Sequence, residues 1–172
     1  MKAQQMDCKK ITAYIPDTPD LYEFMTGIRY LNFVANMFDV SVADRKELIE
    51  KYSTELELID AISSPIASYS HGMKQKLVII SALIHRPKLL VLDEPFVGLD
   101  PKAAYTLKEY MKEMTAQGVS IFFSSHTLEV VEKLCNKIAI IKGGKLVEAG
   151  LTEDIIGKQS LEDVFLELTK NE

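Results

Sequence analysis

Three short stretches of the sequence hold residues suited to metal, proton and anion chemistry. The apolar run Leu89-Leu90-Val91-Leu92 ends directly in Asp93-Glu94-Pro95. One of these carboxylates suits Mg²⁺, and its neighbour suits the orientation and deprotonation of a water. A second apolar run, Val119 to Phe123, ends in Ser124-Ser125-His126, which brings two hydroxyls and an imidazole to a strand end. The third stretch is Ser68-Tyr69-Ser70-His71-Gly72-Met73-Lys74-Gln75-Lys76. A hydroxyl and a glycine at a helix mouth offer backbone N–H groups and the positive end of the helix dipole to an anion. Each stretch also has a purely structural reading. The acidic pair alone suits a strand cap or a surface ion pair, His126 alone a helix start, and Ser70 alone an ordinary helix cap.

The flanking pattern says which elements position these groups. Residues 11–15 (Ile-Thr-Ala-Tyr-Ile) read as a short strand stopped by Pro16 and Pro19. From Thr26 the period turns helical, with Ile28, Leu31, Val34, Ala35 and Phe38 on one face. Ser41 and Asp44 resemble a capping box and open a helix carrying Leu48, Ile49, Tyr52 and Leu56 inward. After the break at Ser63-Ser64-Pro65 another helix runs from about 72 to 84. Lys88 to Leu92 reads as a strand buried on both faces of a parallel sheet. Pro101 opens a helix with Ala104, Leu107, Met111 and Met114 inward, and Val119 to Phe123 reads as a second buried strand. Residues 127–135 read as a helix and 138–141 as a further strand of the same sheet. Gly143-Gly144 makes a hairpin turn into Leu146-Val147. Two short helices close the chain, the last opened by Ser160 and Asp163 with Leu161, Val164, Phe165 and Leu168 on one side. The expectation is an open α/β sheet, with ligands gathered beyond its carboxyl ends. A helical subdomain over about 22–86 interrupts an α/β part at about 11–21 and 87–150, with C-terminal helices over 151–172.

Composition bounds the function. The 172 residues are 47% hydrophobic and 26% charged, with 20 basic against 25 acidic residues and a net charge of −5. That excludes a disordered or disulfide-stapled chain and argues against a nucleic-acid partner. Cys8 and Cys135 match no metal or redox spacing, which suits a reducing, cytoplasmic setting. The longest apolar stretch, Leu77 to Ile84, is far short of the roughly twenty residues a membrane span needs.

Taken together and in order, the motifs are far more specific than any one of them. Tyr69-Ser70-His71-Gly72-Met73-Lys74-Gln75, Leu89-Leu90-Val91-Leu92-Asp93-Glu94-Pro95, Gly98-Leu99-Asp100-Pro101 and Ser124-Ser125-His126-Thr127 resemble four motifs of the nucleotide-binding domain of ATP-binding cassette (ABC) transporters. These are the signature, the Walker B strand, the D-loop and the H-loop. The likeness runs from about residue 11 to the C-terminus. Gly72-Met73-Lys74 after the signature serine looks exporter-like.

The resemblance implies a P-loop NTPase-like core sheet with an inserted helical subdomain, and ATP hydrolysis driving a membrane permease. It implies that Asp93 coordinates Mg²⁺, that Glu94 is the general base and that His126 contacts the γ-phosphate. Ser70, His71, Gly72 and Met73 would contact ATP bound to a second nucleotide-binding domain, in a homo- or heterodimer, with Asp100 at the seam. The expected location is cytoplasmic, at the inner face of the membrane through the permease.

Two departures qualify this. Asp17 stands where the family's Q-loop glutamine is expected; it can serve as a metal or water ligand, or simply as a turn residue between two prolines. The phosphate loop G-x-x-x-x-G-K-[ST] is absent from the 172 residues, in which no glycine precedes Gly27. The N-terminal Walker A strand and loop are thus missing, and the expectation is a partial domain that does not hydrolyse ATP alone. The flanking strand edges would be left unpaired. The alternative is a non-catalytic, degenerate cassette that donates its signature in trans or acts as an interaction module.

Overall fold

The computed structural model describes residues 2–170 and divides them into two compact units, one ending at Ser124 and the other beginning at Ser125.

The first unit is built on a three-stranded parallel sheet of order β1 (Thr12–Ile15), β2 (Leu89–Asp93), β3 (Ser120–Ser124). Parallel neighbours need crossovers. The β1–β2 crossover holds the helices α2 (Gly27–Met37), α3 (Val42–Glu55) and α4 (His71–Leu83), whereas α5 (Pro101–Ala116) alone joins β2 to β3. Residues 2–10, unassigned by pattern, and Ile11, expected to begin the strand, form a helix, α1 (Lys2–Ile11), and Thr12 closes its end by donating its hydroxyl to the Cys8 carbonyl at 2.8 Å.

The helix starts follow the caps written in the sequence. Ser41 accepts the Asp44 N–H at 3.1 Å and Thr26 that of Arg29 at 3.4 Å. Each satisfies a donor that the first turn would otherwise leave open. α4 is buried continuously from Gln75 to Leu83, as expected of a helix whose sequence is apolar on every side. With Leu31, Ala35, Ile66 and the β2 residues Leu90 and Leu92 it forms the core.

Two burial expectations fail for one reason. β2 was expected to be covered on both faces and instead alternates, with Leu90 and Leu92 buried but Leu89 and Val91 half-buried. β3 was expected to be buried and is not: Phe122 is 65% exposed. An apolar run reports the capacity to be covered, and coverage depends on which elements are present to supply it. β3 pairs only with β2, so its outer edge is bare among the described residues. On α5 the inward face is Ala103, Leu107, Tyr110 and Met111, so Ala104 and Met114 lie at its margin. Tyr110 and Tyr52 meet edge to face at 5.3 Å, and the Tyr110 hydroxyl donates to Glu55, tying α5 to α3.

The second unit holds α6 (Leu128–Leu134), β4 (Lys137–Lys142), β5 (Lys145–Leu151), α7 (Thr152–Ile156) and α8 (Leu161–Lys170). The 138–141 strand was expected to continue the parallel sheet. Among the described residues β4 instead pairs antiparallel with β5 alone. The turn between them uses Gly143 (φ +55°) and Gly144 (φ +74°), the two left-handed positions of a type I′ hairpin. Ile138, Ile140 and Leu161 are its core, with Val164, Phe165 and Leu168 packed on it. Ser160 accepts the Asp163 N–H at 3.1 Å, as the cap pattern predicts.

Candidate functional site

β2 carries Asp93 to the carboxyl end of the sheet, where the ladder sets it opposite Ser124. The Ser124 hydroxyl donates to Asp93 Oδ1 at 2.5 Å and accepts the Glu94 backbone N–H at 3.1 Å. One hydroxyl therefore fixes both acidic residues to the neighbouring strand. Glu94 itself has φ +46°, a left-handed conformation that costs a side-chain-bearing residue energy and is found where surrounding structure enforces it. The bend is held by Val97 N–H on the Glu94 carbonyl at 3.1 Å. Pattern reading brought both hydroxyls of the Ser-Ser-His run to the strand end but gave a role to His126 alone; the bridging role of Ser124 is set by register, which no local signal reports.

The chain then runs through Gly98 to Asp100 and touches the mouth of α4. Ser70 caps this helix, accepting the Met73 N–H at 3.3 Å, so the structural reading of Ser70 holds whatever else it does. A Cβ on Gly72 would lie 2.6 Å from the Gly98 carbonyl oxygen. A Cβ on Gly98, whose φ is +77°, would meet the His71 ring at 2.4 Å. Gly72 is required by the close approach of two backbones, and Gly98 by its left-handed φ and the His71 ring beside it. One turn further along α4, Lys76 Nζ lies 2.7 Å from Asp100 Oδ2, and Asp100 Oδ1 accepts the Ala103 N–H at 2.9 Å to cap α5. Lys76, first, and this cap hold the Asp100 carboxyl below the usual carboxylate range. Lys76 was not singled out from the sequence; its only signal is that it falls four residues after Gly72, on the same helix face.

Asp93, Glu94, Ser70, His71, Gly72, Met73 and Asp100 thus share the first unit and lie on connected segments. Asp17 is exposed in the bend after β1, at the same end of the sheet. Ser125 and His126 belong to the second unit. There the Ser125 hydroxyl accepts the Thr127 N–H at 3.1 Å, and His126 is exposed.

The donor set fits a hard cation. It consists of the Asp93 carboxylate and the Ser124 hydroxyl, both oxygen donors. That suits Mg²⁺, which takes one or two carboxylates and completes its shell with water and substrate phosphate oxygens. The mouth of α4 adds N–H groups and a positive dipole end for an anion.

A family model described as "AAA domain, putative AbiEii toxin, Type IV TA system" matches residues 11–132. An uncharacterized ABC transporter ATP-binding protein of Nostoc is 36% identical over 154 residues, 88% of this chain and 46% of its own length. The ABC-type transporter ATP-binding protein EcsA of Bacillus subtilis is 33% identical over 92% of this chain and 66% of its own. The chain therefore spans between about half and two thirds of these curated relatives. A solved structure of an ATP-binding subunit of an ABC transporter superposes with a TM-score of 0.90 at 36% identity, covering 94% of this chain and 70% of that one. Among the described residues no helix is long and apolar enough to cross a membrane.

Proposed function

The chain belongs to the ATP-binding domains of ABC transporters, and from that premise we propose that it supplies the carboxylate rim of one ATP site and the signature helix of a second. Asp93 holds Mg²⁺, which when bound draws charge from the phosphates. Glu94 accepts the proton of the attacking water. His126 contacts the terminal phosphate, and Asp17 serves as a further metal or water ligand. Ser70, His71, Gly72 and Met73 face ATP held by a partner cassette, and Asp100 lies at the seam between them. The inserted helical subdomain spans about 22–86, between α/β segments.

The observation that carries this reading is the contact of Gly72 with Gly98. It joins the helix mouth 70–73 to the segment that leaves the Asp93-Glu94 turn. Within these 172 residues no phosphate loop is present to cradle the nucleotide, so the chain by itself turns over no ATP. Mixed with an intact cassette, it stimulates that cassette's ATPase, and Ser70→Ala abolishes the stimulation. ATP turnover by the chain alone, lost on Glu94→Gln, would overturn the first statement. Stimulation indifferent to Ser70 would overturn the second.

The partner that hydrolysis serves is a membrane permease, which places the chain at the inner face of the membrane. The exposed ring cluster of the helical subdomain supports this: Tyr22 lies 5.9 Å from Phe24 and 5.7 Å from Phe33, and Phe24 is 81% exposed.

A further inference from the structure

The two half-sites proposed above stand on separate segments. Glu94 is on the turn after β2, and Ser70 to Met73 form the mouth of α4. The strap 95–100 joins them, and it is fixed on α4 at two points. One is the close approach of Gly98 to His71 and Gly72. The other is Asp100, whose Oδ2 lies 2.7 Å from Lys76 Nζ.

Lys76 is an unusual residue to find there. Its side chain is 10% exposed, against 67% for Lys102, which pairs with Glu57 at the surface. A charged side chain so largely covered is favoured by a counter-charge held beside it. Asp100 supplies it while its other oxygen caps α5 through Ala103. Both oxygens of Asp100 are therefore committed, one to the helix that carries the signature and one to the helix that follows the acidic turn.

We infer that Lys76 is a positioning residue: by holding Asp100 it fixes the strap 95–100 on α4 and makes the Glu94 turn and the Ser70–Met73 mouth shift as one body. This rests on the nucleotide reading of those two segments. A displacement at either segment then passes to the other through the Lys76–Asp100 pair, beside the Gly72–Gly98 contact.

The test uses the full chain as wild type, Lys76→Met, Lys76→Arg and Asp100→Asn; methionine keeps the length of the stem and asparagine keeps the cap. The first measurement is amide hydrogen exchange on the chain alone. Lys76→Met and Asp100→Asn are expected to speed exchange by roughly ten- to hundredfold, the worth of a charge-assisted hydrogen bond. The increase falls both at Leu99 and Ala103 and at Gly72 and Met73, and Lys76→Arg restores wild-type protection. Faster exchange at 99–103 alone, or at neither segment, overturns the coupling.

The second measurement is stimulation of an intact cassette. Lys76→Met is expected to lower the stimulated turnover about tenfold, while the half-saturating chain concentration stays within about twofold. Undiminished turnover, or a loss seen only as weaker pairing, overturns the positioning role. If the wild-type chain stimulates nothing, the nucleotide reading falls, and the exchange measurement still decides whether Lys76 binds the two segments together.

Discussion

Gly72, on the first turn of α4, lies so close to Gly98 that a methyl group on it would start 2.6 Å from the Gly98 carbonyl oxygen. The obstacle is backbone, which cannot rotate aside as a side chain can. The contact explains why the smallest residue stands at position 72, independently of any ligand. It also means that the mouth of α4 and the 96–100 segment cannot be repositioned separately.

Gly72→Ala is accordingly expected to destabilise the chain by about 1–3 kcal/mol, the usual cost of overpacking a tight contact. Gly98→Ala should cost at least as much, because its φ of +77° is strained for alanine and the His71 ring stands in the way. Denaturant midpoints of the two variants check this; a Gly72→Ala midpoint equal to wild type would show that the two segments separate easily.

Ser124→Ala removes the hydroxyl that serves Asp93 and the Glu94 N–H together. A loss of about 1–2 kcal/mol is expected, with faster amide exchange at Glu94, whose left-handed conformation loses its tether. Ser124→Thr keeps the hydroxyl and should stay close to wild type. Equal exchange at Glu94 in Ser124→Ala would show that the turn is held by other means.

His85 stacks on Phe38 with ring centroids 3.8 Å apart, and burial holds its pKa below the ordinary 6.5. A group whose folded pKa is lowered contributes stability that is present above its unfolded pKa. That contribution is lost as pH falls below 6.5 toward the folded value, since the unfolded chain takes up the proton first. Thermal melts between about pH 7.5 and about pH 5 should therefore fall more steeply for wild type than for His85→Phe, which keeps a stacking ring without the charge. Parallel slopes would rule His85 out as the cause.

The bare edge of β3 predicts self-association. Phe122 is exposed on the edge strand, and an unpaired apolar edge templates pairing with another chain. Sedimentation of wild type should show concentration-dependent association, and Phe122→Lys should reduce it. An equal association of both proteins would place the contact elsewhere.

Much of this was legible along the chain because it is local. Ser41 with Asp44 and Ser160 with Asp163 announce helix starts, since a cap acts over three residues, and Pro101 announces another. The run ending at Asp93 announces a strand delivering carboxylates to a sheet end. Gly143-Gly144 announces a hairpin, since only that turn requires two consecutive left-handed residues. The ordered motifs around Ser70, Asp93, Asp100 and His126 carried the family as well.

What lay beyond reading is whatever depends on a distant partner. Val119 to Phe123 has the composition of a buried strand, yet Phe122 on β3 is exposed, because burial is decided by the neighbour and not by the run; the unpaired outer edge itself agrees with what the family likeness led us to expect. The strand at 138–141 has the same composition, yet its hydrogen bonds go to β5. Ser124 became the tether of the acidic turn only through the β2–β3 register, and Lys76 the partner of Asp100 only through the packing of α4. The sequence by itself determined which elements form and which residues carry chemistry, because helix caps, turns and apolar periods act within a few residues. Only the tertiary structure decided which of those residues hold one another in place, because a hydrogen bond or an ion pair between remote segments exists only once the sheet and α4 have brought them within reach.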